Sequence, residues 1–273
     1  MNTPLRRPRA LITGGSKGIG LHLATIAAER GHDPILVARD AAELASAAET
    51  IEASTGAQVT WHAVDLADRS AVTELADALT RAARDESPLD LLVNNAGFGA
   101  VADTADLELQ TQLDMTAVNC EAVVHLTARL LPSMIERGHG AVMNVASVAA
   151  FQPGPGAALY YASKAFVLHW TEALHTELEG TGVRATALCP GPTVTEFQER
   201  AGAGVPAGIP AQDRHLTLSA RAVADAGFAA LDRNRAVVIP GVTNAALTQV
   251  PRLLPRRLVP ALVRATTQKI RRD

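Results

Sequence analysis

Residues 10–20, ALITGGSKGIG, join a short apolar run to a glycine-rich turn and the start of a helical pattern. The run 10–13 has the length of a buried strand, and Gly14, Gly18 and Gly20 follow it. Glycines permit a tight turn and close backbone approach to a pyrophosphate, and the amides of a helix N-terminus attract its charge. The spacing differs from G-x-G-x-x-G, so the surrounding pattern must decide what this turn does.

The alternation of strand and helix continues along the chain. Six further apolar runs follow, at 34–38, 59–64, 91–93, 141–146, 183–189 and 236–240. Helix-length segments lie at 18–30, 41–54, 69–85, 107–137, 158–180 and 219–232. This order predicts an α/β fold, a single Rossmann-type doubly wound sheet of about seven parallel strands with helices on both faces.

Composition limits the class of protein. The chain of 273 residues, with 48% hydrophobic and 19% charged residues, fits one soluble domain over residues 1–273. A net charge of −3 argues against nucleic acid as a partner. The eight histidines lack metal-ligand spacing, so we expect no metal site. Cys120 and Cys189 form no paired spacing and the N-terminus lacks a secretory signal core, which favours a cytoplasmic location.

Small and polar residues follow several of the predicted strands. Ligands of open parallel sheets bind beyond the carboxyl ends of the strands. Here Asn94-Asn95-Ala96-Gly97 follows the fourth strand, Ser147 the fifth and Pro190-Gly191-Pro192-Thr193 the sixth. The sequence therefore predicts a cofactor cleft at one edge of the sheet.

The end of the second strand bears on the choice of dinucleotide. An acid at this point usually binds the ribose hydroxyls of NAD, whereas an arginine accommodates the 2′-phosphate of NADP. Asp40 is a candidate acid, but with Glu43 three residues later it forms the pattern of a helix N-cap and capping box. Arg39 and Lys17 supply two cations, which favours NADP(H) over NAD(H).

Tyr160 and Tyr161, the only tyrosines, precede Lys164 by four and three residues. Either can share a helix face with Lys164, so spacing does not choose between them. Tyr161 shares its face with Ala165 and Leu168 and has a packing explanation, and we assign chemistry to Tyr160. An ammonium at about 5 Å favours a phenolate by about 3 kcal/mol, which predicts that Lys164 lowers the pKa of the phenol.

Five motifs in order resemble the short-chain dehydrogenase/reductase family over about residues 8–240, in its branch with TGxxxGIG, NNAG and YxxxK motifs and a C-terminal extension. They are Thr13-Gly14-x-x-x-Gly18-Ile19-Gly20, Asn94-Asn95-Ala96-Gly97, Ser147, Tyr160-x-x-x-Lys164 and Pro190-Gly191. The resemblance implies that Tyr160 is the general acid/base and that Ser147 orients the carbonyl. It further implies that Lys164 binds the nicotinamide ribose and lowers the tyrosine pKa, and that Asn119 completes a proton relay.

The predicted cofactor site combines the residue-level candidates with those that the resemblance implies. Asp65 is similar to the family residue that contacts adenine, and Thr193 or Thr195 could hold the nicotinamide amide, a choice that the sequence leaves open. The full set is Gly14, Ser16, Lys17, Gly18, Ile19, Gly20, Arg39, Asp65, Asn95, Ala96, Gly97, Tyr160, Lys164, Pro190, Gly191, Thr193 and Thr195.

Two of the catalytic candidates also have structural explanations. Asn119 stands on an apolar stripe of its helix, so its amide must find partners and could be a satisfied core residue. Ser147, taken alone at the end of an apolar strand, could cap a helix.

The predicted reaction interconverts a ketone or aldehyde and its alcohol with NADP(H). The alternative is a regulatory or scaffold protein that binds a dinucleotide without turnover. Residues 192–218 carry several Pro and Gly residues and predict a substrate lid. Apolar residues flank the expected cleft or lid and favour an apolar substrate: Phe98, Phe151, Leu159, Phe197, Val205 and Ile209.

The C-terminal extension, 244–273, has a basic amphipathic pattern. Between 252 and 272 seven arginines and lysines alternate with leucine and valine, without an acid, and Pro255 and Pro260 interrupt the pattern. Packing on its own domain or across a subunit boundary is favoured over peripheral membrane contact. The family resemblance implies a homodimer or homotetramer formed through 107–137 and 158–180.

Overall fold

Seven parallel strands form the central sheet in the part of the chain that the computed structural model describes, residues 7–85, 87–194 and 217–270. The strands are β1 (Arg9–Thr13), β2 (Asp33–Ala38), β3 (Thr60–Ala63), β4 (Leu89–Asn94), β5 (Gly140–Val145), β6 (Val183–Leu188) and β9 (Val237–Val238). Their order is β3-β2-β1-β4-β5-β6-β9, and every neighbouring pair is parallel. The seven predicted strands are all present.

Helices cover both faces of this sheet. One apolar layer packs α1 (Gly18–Glu29), α2 (Ala41–Thr55) and α7 (Ala220–Asp232) against the strands. The opposite layer contains α3 (Arg69–Asp85), α5 (Ala122–Arg137) and α6 (Ala158–Glu177). In β1, Leu11 faces the second layer and Ile12 the first, because successive side chains of a strand point to opposite faces. The doubly wound α/β prediction is confirmed.

The predicted helix 107–137 is divided in three. It comprises α4 (Leu109–Thr116), a π-helical segment Ala117–Glu121 and α5. Asn119 lies in the π-helical segment, and such segments occur frequently at functional sites. Neither Pro nor Gly occurs within 109–121, so the sequence contains no breaker that would have marked the interruption.

Several short elements were not predicted. β7 (Thr193–Val194) and β8 (Leu218–Ser219) pair in parallel at the two ends of the proposed lid, of which residues 195–216 lie outside the described part of the chain. Three helices follow β9: α8 (Val242–Leu247), α9 (Val250–Leu253) and α10 (Val259–Ile270). Pro260 is the second residue of α10, where its missing N–H breaks no helical hydrogen bond, so it starts a helix instead of interrupting one.

Among the described helices, none combines the length and the apolar character that crossing a membrane requires.

Candidate active site

The glycine turn after β1 is shaped by backbone geometry that only glycine allows. Gly14 has φ +64°, in the left-handed region, and an added Cβ there would lie 2.8 Å from Asn95 Nδ2. A Cβ on Gly20 would collide with the carbonyl oxygen of Gly14. No side chain therefore covers the backbone of the turn at these glycines, where α1 begins, and an anion can approach its amides closely.

Residues after β4 hold this turn in place. Asn95 Nδ2 donates to the carbonyl oxygens of Thr13 (2.9 Å) and Gly14 (3.1 Å). Thr13 Oγ1 accepts from the backbone amides of Asn95 and Ala96, both at 3.0 Å. β1 and β4 are adjacent where the strand order reverses, the position at which doubly wound sheets bind ligands.

A cleft of about 890 Å³ opens at this edge of the sheet. Of the predicted cofactor residues, all those that the structure describes line it, from Gly14 at the turn to Thr193. Thr195 lies outside the described residues. The sequence interpretation missed several apolar wall residues of the cleft: Val37, Val64, Leu66, Val118 and Val148.

One end of the cleft is charged. Lys17 Nζ lies 2.9 Å from Glu43 Oε1, and Ser16 Oγ donates to Glu43 Oε2 at 3.3 Å. Asp40 caps α2, as predicted, by accepting from the amides of Ala42 and Glu43. Arg39 lines the cleft, is exposed, and makes no ion pair within the described part of the chain.

Glu43 is a cleft residue that sequence reasoning explained only as part of a helix start. Its backbone amide does bind the Asp40 cap, but its carboxylate reaches back to the glycine turn and contacts Ser16 and Lys17. The available signal was its position just after β2, at the same sheet edge as the turn. Glu43 therefore places a negative charge beside Lys17, one of the two cations that the sequence assigns to a 2′-phosphate.

At the other end of the cleft, Tyr160, Ser147 and Lys164 come together. Tyr160 is buried, and its hydroxyl forms a hydrogen bond with Ser147. Lys164 Nζ lies 6.0 Å from the centre of the Tyr160 ring and donates to the carbonyl oxygen of Val145 at 2.9 Å. All three residues line the cleft. Ser147 also caps the short 3₁₀ helix Val148–Phe151 by accepting from the amide of Ala149.

Burial is the largest influence on the pKa values of Tyr160 and Lys164. It raises the pKa of Tyr160 to about 12, against a smaller lowering by the hydrogen bond from Ser147. It lowers the pKa of Lys164 to about 8. The sequence predicted that Lys164 lowers the pKa of Tyr160. This expectation is wrong for the protein without a cofactor, in which the pKa of Tyr160 is raised. The physical reason is that burial removes water from the phenol and disfavours its charged form, and this effect outweighs the hydrogen bond from Ser147.

Tyr161 is buried in packing. Its ring meets that of Tyr160 edge to face, with centres 6.2 Å apart and planes at 82°. A Cβ added to Gly154 would overlap its ring, so the chain closes tightly around it. Tyr161 is not among the described residues that line the cleft. These contacts agree with the packing explanation that the sequence suggested.

Asn119 is buried beside the cleft and does not line it. Its Oδ1 accepts from the amide of Phe98 at 3.0 Å, and its Nδ2 donates to the Phe98 carbonyl at 2.9 Å. Nδ2 also donates to Ser163 Oγ at 3.0 Å, and Ser163 Oγ donates to the Tyr160 carbonyl at 2.7 Å. The side chain thus ties the loop after β4 to α6, and the structure gives it the contacts of a satisfied core amide.

The segment after β6 closes one side of the cleft. Ser147 Oγ lies 3.5 Å from the carbonyl oxygen of Pro190, and Thr193 Oγ1 donates to the Gly191 carbonyl at 3.0 Å. Among the predicted apolar substrate contacts, Phe98 lines the cleft, whereas Phe151 and Leu159 pack in neighbouring clusters. The remaining three, Phe197, Val205 and Ile209, fall outside the described residues.

The cleft fits a dinucleotide. The bare glycine backbone at the start of α1 matches a pyrophosphate, and the apolar walls formed by Val37 and Val64 match a flat base. Lys17 and Arg39 lie at the same end as those walls, and the tyrosine and lysine lie beyond the glycine turn. The arrangement can hold an anionic dinucleotide with its reactive end beside a proton-carrying phenol.

Fold and site together define a dinucleotide-binding oxidoreductase. The family model for short chain dehydrogenases matches residues 8–205. The chain belongs to the short-chain dehydrogenase family.

Similar proteins agree with that assignment. Sulfoacetaldehyde reductase 2 of Chromohalobacter salexigens is 39% identical over 189 residues, which are 68% of this chain and 73% of that protein. Ketoacyl reductase HetN of a Nostoc species is 35% identical over 190 residues, 69% of this chain and 64% of that protein. The solved structure of a short-chain dehydrogenase from Sphingobium yanoikuyae in complex with NADPH superposes with a TM-score of 0.78 at 32% identity, covering 88% of this chain and 90% of its own.

Proposed function

We propose that this chain is an NADP(H)-dependent oxidoreductase that interconverts a ketone or aldehyde and the corresponding alcohol. The observation that carries the proposal is the hydrogen-bonded pair of Tyr160 and Ser147 inside the cleft, with the Lys164 ammonium beside the ring. Family membership and the NADPH complex of a similar structure support the cofactor. The alternative, a dinucleotide-binding protein without turnover, would not need this buried acid.

The residues divide the work of the reaction between them. NADP(H), when bound, supplies or accepts the hydride. Ser147 donates a hydrogen bond to the carbonyl oxygen of the substrate and stabilises the negative charge that develops there. Tyr160 delivers a proton to that oxygen during reduction and takes it back during oxidation. Lys164 binds the cofactor ribose and holds a positive charge near the phenol.

The ionisation state of Tyr160 suits the reductive direction. With a pKa of about 12, the phenol is protonated at neutral pH and is ready to act as an acid. Oxidation of an alcohol needs the phenolate, which burial disfavours unless positive charge is added nearby. We therefore infer that reduction is the easier direction at neutral pH and that oxidation gains from alkaline conditions.

The charged end of the cleft predicts how the two dinucleotides are distinguished. Arg39→Gln should weaken NADPH binding about 10- to 100-fold, because a charge-assisted hydrogen bond to the 2′-phosphate contributes about 1.5–3 kcal/mol. NADH lacks that phosphate, so its affinity should change less than about twofold. Titration of both dinucleotides by fluorescence, at one ionic strength, measures the two constants.

Glu43→Gln is the matched variant, and its effect on NADPH affinity should be opposite to that of Arg39→Gln. It removes the carboxylate that lies 2.9 Å from Lys17 Nζ and should raise NADPH affinity while leaving NADH affinity unchanged. Glutamine keeps the length of the side chain, and the Asp40 cap uses the backbone amide of residue 43, which the change preserves. Equal effects of Arg39→Gln on both dinucleotides would contradict the placement of the 2′-phosphate at this end.

The substrate class is tested with a panel of carbonyl compounds. Phe98, Val148 and Pro192 line the cleft and favour an apolar carbonyl. We expect NADPH oxidation, followed by its absorbance, to be fastest with bulky apolar ketones or aldehydes. Sulfoacetaldehyde and a ketoacyl compound serve as comparison substrates, because two similar proteins are named as reductases of these compounds. NADPH binding without turnover on any carbonyl would instead support the regulatory alternative.

A further inference from the structure

The net charge of the chain conceals a strong division along its length. Residues 244–273 contain seven of the 25 Lys and Arg residues and one of the 28 Asp and Glu residues. Residues 1–243 therefore carry 18 cationic and 27 acidic side chains. The C-terminal extension is a basic segment attached to an acidic body, so the two parts must interact very differently with a charged surface.

Large apolar side chains of the extension lie on the outside of the protein. Leu253 is 84% exposed, Leu258 is 50% exposed and Leu262 is 51% exposed. Val259 and Val263, on the neighbouring face of α10, are buried. Leu258 lies directly before α10, and its carbonyl accepts from the amide of Leu262 at 3.1 Å, so the two exposed leucines lie one helical turn apart. They form an outward row, whereas the two valines are buried. The packing of the extension on its own domain, favoured from the sequence, leaves this row uncovered.

Arginines are interleaved with these leucines. Arg252, Arg256, Arg257 and Arg264 are all exposed. Within the described residues none of these four guanidinium groups pairs with a carboxylate. We call the exposed leucines and arginines of 252–264 the tail surface.

The tail surface continues from the edge of the sheet that carries the cleft. α8 places Asn244 so close to Gly191 that a Cβ on that glycine would collide with the Asn244 amide. Gly191 lines the cleft, and Gly241, at the start of α8, lies beside Leu218 at one end of the proposed lid. The basic and apolar extension therefore begins next to the cleft and not at the opposite end of the strands.

We propose that the tail surface binds the face of an anionic phospholipid membrane. The exposed leucines enter the boundary between headgroups and acyl chains, and the arginines reach the lipid phosphates. The acidic body is repelled by the same lipids, which orients the protein with its tail surface toward the membrane. The proposal is independent of the reaction assigned to the cleft.

A second copy of the chain is the competing occupant. Arginine is common at protein interfaces, but an arginine buried at the centre of one needs a partner for its charge, and leucines and arginines alternate throughout this surface. Each exposed leucine has an arginine within a few residues, so a protein partner would have to desolvate several cations to cover the apolar area. A membrane imposes no such cost, because the arginine side chains extend into the hydrated headgroups.

The test uses the full chain and vesicles of phosphatidylcholine with or without phosphatidylserine. Sedimentation should show binding to the phosphatidylserine vesicles that weakens with added salt, and little binding to phosphatidylcholine alone. The double variant Arg256→Gln/Arg257→Gln should lower the partition coefficient about 20- to 30-fold, since each arginine near an anionic surface contributes about fivefold. Leu253→Gln should also weaken binding, without loss of fold, because its side chain is 84% exposed.

Arg233→Gln/Arg235→Gln is the matched control. It removes the same charge from exposed positions that precede β9 and lie outside the tail surface, and it should change binding less than about threefold. Equal losses in the two double variants would overturn the proposal, because net charge alone would then explain binding. Absence of vesicle binding would also overturn it, and a change of mass in light scattering with Leu253→Gln would identify an interface between copies. NADPH binding verifies the fold of each variant.

Discussion

Tyr160→Phe is expected to lower kcat for carbonyl reduction about 1000-fold while NADPH binds almost as in the wild type. General acid catalysis contributes about 100- to 10,000-fold, and the change removes the only proton that the phenol could deliver. The ring remains, so its contact with Tyr161 and the buried packing around it are preserved. Single-turnover kinetics at saturating NADPH measures the loss, and a fluorescence titration checks the cofactor.

Tyr161→Phe is the matched control for this result. It removes the same atom from the adjacent residue of the same helix, but Tyr161 packs against Gly154 and does not line the cleft among the described residues. We expect its kcat to stay within about threefold of the wild type, as for a change that touches no reacting atom. Similar losses in the two variants would show that packing of the tyrosine pair, and not proton transfer, limits the rate.

The fold was predictable because its signals are local and repeated. Each strand is a short apolar run, such as 183–189 for β6, and each is followed by a segment of helical length. Parallel strands buried on both faces read as continuous apolar sequence, and the alternation implies the crossover helices. The π-helical segment around Asn119 and the pair β7–β8 carry no such signal, since both depend on contacts between distant parts of the chain.

The residues that form the site were easier to predict than their pKa values and charge contacts. Several motif residues follow the carboxyl ends of strands, so the topology alone brings Gly14, Asn95 and Ser147 to one cleft. The pKa of Tyr160 depends on how completely that cleft removes water, which spacing cannot report. Glu43 was missed for a related reason: a side chain that fits a helix-start pattern gives no sequence sign that its carboxylate turns toward Lys17.

Lys164→Met is the second change with a large expected effect. The ammonium of Lys164 is buried and donates to the Val145 carbonyl at 2.9 Å, beside the Tyr160 ring. Methionine has a similar length but neither the charge nor the donor. We expect kcat to fall about 100- to 1000-fold, the usual loss when one preorganised donor or charge is removed from an active site.

The pH dependence of stability separates this role from a structural one. Burial lowers the pKa of Lys164 from 10.5 in the unfolded chain to about 8 in the fold. Between these values the unfolded state binds more protons, so the free energy of unfolding rises with pH, by roughly 2–3 kcal/mol over the whole interval. The cost of the buried charge is therefore fully present below pH 8 and is relieved above it. Burial raises the pKa of Cys120 and Cys189 from 9.0, so these thiols act in the opposite sense above about pH 9, and Tyr160 does so above pH 10.

Denaturant unfolding between about pH 7.5 and 8.5, below the range where the thiols ionise, should show wild-type stability rising with pH and a smaller rise in Lys164→Met. At neutral pH the variant should be close to the wild type in stability, because the lost hydrogen bond to Val145 is offset by the removal of a buried charge. A large loss of kcat together with retained stability at neutral pH and a flattened pH profile is the combination that we expect. Loss of stability at neutral pH, with the same pH dependence of the free energy of unfolding as in the wild type, would instead assign Lys164 to the support of the fold. A buried group changes this pH dependence only if it exchanges a proton on unfolding.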